Sequence, residues 1–213
     1  MKTPVKMAIG LLCIAGCVTA QDPDPDPEKM KARMEEMKRL LEQARPGPEH
    51  QRLMRYAGQW ELTVEFGVGP RKLTYRGQAT NRRLVQNRFL SCQYRVHAGQ
   101  RMIDGIFTIG FDRRHGEYTM HAIDSSGTYS VNSKGKPGKD AKRVKLYGTD
   151  NDPRMTAMGY TKEFGHVIGF EGKDTLNIDV FMVDTRKESK PESTMMRYRF
   201  VRKAPGRKPS ANK

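Results

Sequence analysis

From residue 60 onward the chain changes side-chain character at every second position. Trp60, Leu62, Val64, Phe66 and Val68 alternate with Glu61, Thr63 and Glu65. A period of two places successive side chains on opposite faces of an extended strand, so the pattern asks for a sheet with one face buried and one wet. The centre of the chain repeats the theme three times without a break. An apolar run holding Ile106, Phe107 and Ile109 is followed by a polar turn at Arg113, Arg114, His115 and Gly116. A second run over 117–124 is followed by Ser125, Ser126 and Gly127, and a third starts at Thr128. Short β-prone runs punctuated by Gly, Asp and Ser read as consecutive antiparallel strands. The same reading predicts strands over 60–68, 71–80, 88–96, 102–112, 117–124, 128–133, 143–149, 160–171, 176–183 and 194–202. No helix intervenes, which argues for an antiparallel sandwich or barrel and against a parallel sheet. Closure removes exposed strand edges. The expected fold is therefore mostly β, an antiparallel up-and-down β-barrel of about ten strands with an N-terminal helical extension.

The ends set the domain limits. Lys2 and Lys6 precede an apolar stretch from Met7 to Gly16, which has the length of a signal-peptide core and is too short to span a bilayer. Two processing sites compete: small residues ending at Ala20 suit ordinary signal peptidase, and Ile14-Ala15-Gly16-Cys17 resembles a lipobox that would lipidate Cys17. The chain is expected to be exported, periplasmic or secreted, or else lipid-anchored through Cys17, with no transmembrane segment after processing. Either route leaves only Cys92 of the three cysteines as a free thiol, so no internal disulfide forms and the fold rests on its core. Asp-Pro repeats over 22–27 make a stiff spacer. Residues 28–44 then carry Met30, Met34, Met37 and Leu41 at helical spacing, an amphipathic stripe able to dock on the domain or on a partner. A second, short helix over 49–57 is placed to plug one barrel end. The division is 1–20 signal, 21–48 spacer and helix, 49–203 barrel, and 204–213 a disordered basic tail.

The motif set His50-x-x-Leu53, Gly58-x-Trp60, Gly110-Phe111-Asp112, Tyr118, Asp124-Ser125 and Arg197-Tyr198-Arg199 resembles the uncharacterised bacterial family catalogued as domain of unknown function 1579, over about residues 48 to 203. That resemblance implies a calycin-type barrel similar to lipocalins and nitrobindins, and no agreed activity. It also implies that a single inward histidine could ligate haem. Two departures from the family pattern, Ala122 in place of an aromatic residue and no Gly-Gly pair near Arg83-Leu84, would reshape an inward pocket.

No phosphate-binding loop, nucleophile elbow or dinucleotide fingerprint is present, and Gly67-x-Gly69-Pro70 is a turn. The histidines show no metal spacing. Asp112 and Asp124 read either as paired acids or as turn residues capping local amides. Cys92 reads as a small buried hydrophobe. No catalytic set, metal set or cofactor is assigned. The formal charge of +15 suits nucleic acid, anionic lipid or acidic polymer alike. An export signal argues against nucleic acid, and the basic tail suits an anionic envelope surface. The leading expectation is a non-catalytic binding or carrier module for a small apolar or amphipathic ligand, held inside the barrel by Trp60, Leu62, Cys92, Tyr94, Tyr118, Asp124 and Tyr198. The alternative is an envelope interaction protein without a ligand, and a third option is an enzyme built on Asp112, Asp124 or a histidine.

Overall fold

The computed structural model describes residues 26–67, 72–139, 142–149, 162–184, 188–189 and 192–203. The leader, both processing positions (Cys17 and Ala20), most of the Asp-Pro spacer and the tail lie outside them. Among the described residues two helices and ten strands follow in the order α1 (Pro27–Gln43), α2 (Pro48–Met54), β1 (Gly58–Phe66), β2 (Leu73–Leu84), β3 (Phe89–Ala98), β4 (Arg101–Asp112), β5 (Glu117–Asp124), β6 (Val131–Gly135), β7 (Arg143–Thr149), β8 (Lys162–Glu171), β9 (Thr175–Asp184) and β10 (Glu192–Arg202). Every strand pairs antiparallel with its sequence neighbours, and β1 pairs with β10, so the sheet closes into an up-and-down barrel as the alternation predicts. Registers keep the apolar set on one side: Leu62 stands opposite Phe200, Tyr94 opposite Ala79, and Ile168 opposite Ile178. Those residues are at most 5% exposed and form one continuous core with Trp60, Leu90, Ile109 and Tyr118.

The chain falls into two compact units divided after Glu42. In the first, α1 leaves its whole stripe in solvent, and no residue of the helix is buried. In the second, α2 closes one end of the barrel. Pro48 at the first helical position has no amide to lose there. The Gly47 amide donates to Nδ1 of His50 at 3.0 Å, which satisfies the helix start. Leu53 and Met54 then enter the core. Beneath the plug runs a chain of rings: His50 against Phe111 at 6.1 Å, Phe111 against Tyr118 at 4.9 Å, Tyr118 against Phe170 at 5.9 Å, Phe170 against Tyr56 at 5.5 Å, and Tyr56 against Trp60 at 6.0 Å.

Arg202 latches this plug. Its guanidinium donates to the carbonyls of Arg55 (2.6 Å), Ala57 (3.0 Å) and Lys173 (2.9 Å) and to the Asp174 carboxylate (3.0 Å), and it lies 4.3 Å from the centre of the Trp60 ring. Gly58 makes room for it: φ is +134° there, and a Cβ would stand 2.9 Å from the guanidinium. Hydrogen bonds from a charged donor contribute more than neutral ones. Arg202→Met is therefore expected to lower unfolding free energy by about 2 kcal/mol in urea, and a change under about 0.5 kcal/mol, the range of an ordinary surface substitution, would remove the latch.

Two further features had no sequence signal. Strands β6 and β7 meet in a single register pair, Lys134 opposite Tyr147, whereas β7 pairs with β8 from Arg143 to Thr149. On the outer face, Phe181 is 3% exposed because it lies over Gly165, where a Cβ would come within 2.3 Å of its ring, and beneath the Lys145 ammonium at 4.8 Å.

Candidate ligand-binding site

Strand alternation turns all seven predicted site residues inward, but they do not form one site. Trp60 and Tyr118 belong to the aromatic belt under α2. Leu62 and Cys92 are wall residues, 1% and 0% exposed, and burial pushes the Cys92 thiol far above its ordinary range, which leaves it protonated and inert. Tyr94, Tyr198 and Asp124 gather in the half of the barrel away from the plug. The Tyr94 ring lies 5.4 Å from Tyr198 and 5.2 Å from Phe107, and Phe107 lies 4.9 Å from Tyr198. The Tyr198 hydroxyl donates to Sδ of Met196 at 3.6 Å. Burial pushes the Tyr198 phenol up to about 12; the neighbouring Tyr94 hydroxyl opposes the rise and the negative charge of Asp124 adds to it. Tyr94 rises further, first through burial. Both phenols stay neutral donors at physiological pH.

Asp124 accepts from the amide and hydroxyl of Ser126, and Asp112 accepts from the Arg114 amide at 2.9 Å, from its guanidinium and from His115. Those bonds hold the Asp112 carboxyl well below the usual range. The two acids stand at opposite ends of β5, since Asp112 faces Glu117 and Asp124 faces Gly105. Eight residues at about 3.3 Å each keep them too far apart to share a proton. The paired-acid reading is thus corrected, and each takes the turn role.

Sequence reasoning missed a second inward polar pair. His166 (2% exposed) on β8 and Ser133 (5%) on β6 share a hydrogen bond of 2.9 Å between Nδ1 and Oγ. Burial lowers the imidazole to about 4, so it is neutral at pH 7. His166 is an inward histidine of the kind that could ligate haem in a barrel of this type. It does not fit haem: its Nδ1 is taken by Ser133 and its ring is held edge-on to Phe164 at 5.6 Å in the packed interior. Among the described residues no three of His, Cys, Asp and Glu gather to hold a metal ion.

The grooves themselves open on the outer face. One of about 1190 Å³ runs over β1 to β5 and is strung with polar side chains, among them Gln59, Gln78, Gln93 and Arg95. One of about 410 Å³ surrounds Asp179, which Arg197 holds at 2.9 Å and Arg143 at 3.5 Å. The third, about 720 Å³, sits at the thin β6–β7 junction. Phe89 and Tyr147 wall it, His121 and Lys134 edge it, and it reaches the inward-facing Met120 and Ser133.

Comparison with one solved structure, Rv2717c, supports the architecture. The chain is similar to Rv2717c from M. tuberculosis, with a TM-score of 0.51 and 14% identity over 75% of this chain and all of that one. It is also similar to the S-type phycobiliprotein lyase CPES from Guillardia theta, with a TM-score of 0.49 and 9% identity over 76% of this chain and all of that one. No curated protein matches. At such identities the likeness to Rv2717c concerns the fold alone. Residues 45–202 match the family described as "Protein of unknown function (DUF1579)", a span that takes in α2 and all ten strands, and the chain belongs to that family.

Proposed function

We propose that this protein is a non-catalytic binding module that takes a small amphipathic ligand at the β6–β7 groove. The observation that carries the reading is the groove's build. Its volume of about 720 Å³ falls in the range of small-molecule sites. Two exposed rings, Phe89 and Tyr147, wall it, and Thr108, Thr119, His121, Asn132 and Lys134 supply polar groups around them. An acyl or aromatic body laid along the rings would leave an acidic head beside the lysine. The polar groups named above are engaged elsewhere: Cys92 is protonated, Asp112 and Asp124 hold turns, and His166 is bonded to Ser133.

The test uses the anionic fluorophore anilinonaphthalene sulfonate. Thr119 lies on the outer face of β5 and lines the groove. Thr119→Trp fills the space without entering the core and is expected to weaken probe binding at least tenfold with an unchanged melting temperature. Wild-type affinity in that variant refutes the groove.

The trio Tyr94, Tyr198 and Asp124 favours a second reading, in which the ligand head lies inside the barrel on those groups, along the walls formed by Trp60, Leu62, Cys92 and Tyr118. In that case Tyr94→Phe weakens the probe and Thr119→Trp does not.

A further inference from the structure

The first helical unit has an apolar stripe that is exposed among the described residues: Met34 is 69% exposed, Leu41 61%, Met37 57% and Met30 48%. What distinguishes α1 is the placement of its charges around that stripe. With 3.6 residues per turn, Lys31 and Lys38 border one side of the Met30, Met34, Met37 and Leu41 face, and Lys29 and Arg33 border the other. The glutamates Glu28, Glu35 and Glu36 fall towards the back with Arg39, which Glu36 meets at 2.7 Å, and Glu42 lies beside the lysine border at the C-terminal end. The apolar face is thus edged mostly by cations, Lys29, Lys31, Arg33 and Lys38, with one anion, Glu42, at its C-terminal end.

We infer that α1 lies in the plane of an anionic lipid surface, with its methionines among the acyl chains and its flanking lysines and arginine at the phosphates. Long basic side chains lay their methylene stems along apolar material while their heads reach outward, and that geometry fits the boundary between chains and head groups. The same charges act against the other occupants. In a second copy packed along this face, the bordering cations would meet cations, which destabilises such a seam. The helix is not long and apolar enough to cross a membrane, so lying on the surface is the geometry left to it. Methionine suits such a surface because its unbranched thioether conforms to a disordered neighbour. This inference does not depend on what the groove binds.

Vesicle co-sedimentation tests it. The chain from Gln21 onward is mixed with vesicles of 30% phosphatidylglycerol in phosphatidylcholine, and with phosphatidylcholine alone. Binding to the anionic vesicles is expected to be at least tenfold tighter and to weaken between 50 and 500 mM salt. The double substitution Met34→Glu, Met37→Glu is expected to abolish binding. Lys31→Glu with Lys38→Glu is expected to weaken it at least tenfold. All four side chains are outside the core, so circular dichroism melting should be unchanged. A chain ending at Lys203 should bind as the longer one does. Equal binding to both vesicle types, undiminished binding by the methionine variant, or loss of binding on removal of residues 204–213 alone each overturns the inference.

Discussion

Trp60→Ala is expected to lower the unfolding free energy by about 4 kcal/mol, within the range for truncating a buried aromatic side chain. Trp60 is fully buried where three parts of the barrel meet. Its ring stacks on Tyr56 at 6.0 Å, carries the Arg202 guanidinium at 4.3 Å, and donates Nε1–H to the Tyr56 carbonyl at 3.1 Å. Alanine there leaves a cavity, an orphaned carbonyl and an unsupported guanidinium at once, and α2 loses its floor. Domains are stable by only about 5–15 kcal/mol, so the variant should unfold at least 8 °C lower at a few degrees per kcal/mol. Trp60→Phe keeps most of the contact area and loses only the donor, so it should cost about 1.5 kcal/mol. A melting temperature within 3 °C of wild type for the alanine variant would show that the plug does not lean on this ring.

The second large effect is a loss of stability in acid traced to one histidine. Burial lowers His166 to about 4, whereas an unfolded histidine titrates near 6.5. Above pH 6.5 neither state is protonated and the group contributes nothing to pH dependence. Below it the unfolded chain takes up a proton that the folded barrel refuses, so folding weakens steadily as the pH falls and the penalty levels off near pH 4. The full penalty is about 3 kcal/mol. His166→Gln retains a partner for Ser133 without the titration. Urea denaturation at pH 7 and pH 4 should show the glutamine variant losing about 3 kcal/mol less than wild type over that interval. Carboxylates such as Asp112, held low by Arg114 and His115, add their own acid sensitivity to both proteins and cancel in the difference. Identical losses in the two proteins would show that the imidazole is already protonated in the folded state.

The strands were legible because each carries its message in every second residue. Leu176 and Ile178 against Asn177 and Asp179 can be satisfied only by a sheet with one greasy side, and the registers observed honour that arrangement. Local pattern fails where the answer lies across the barrel. Strand β2 runs on to Leu84, past the polar residues Asn81, Arg82 and Arg83, because β3 offers it partners as far as Phe89. The turn that follows puts Val85, Gln86 and Asn87 at φ of 47°, 53° and 66° with no glycine to announce it. Phe181 breaks the alternation by burying itself on the wet side over Gly165, a partner sixteen positions earlier. The Ser133–His166 pair and the Arg202 latch join segments far apart in sequence, and no spacing rule reaches so far. The amphipathic pattern of α1 was read correctly as a helix, but periodicity states only that a stripe exists and is silent on what covers it.

The pairing of β1 with β10 means that the first strand must wait for the last. Any partly folded sheet that lacks Glu192–Arg202 presents two raw edges, one on β1 and one on its last strand. A premature stop anywhere before β10 would leave that sheet permanently unhooked.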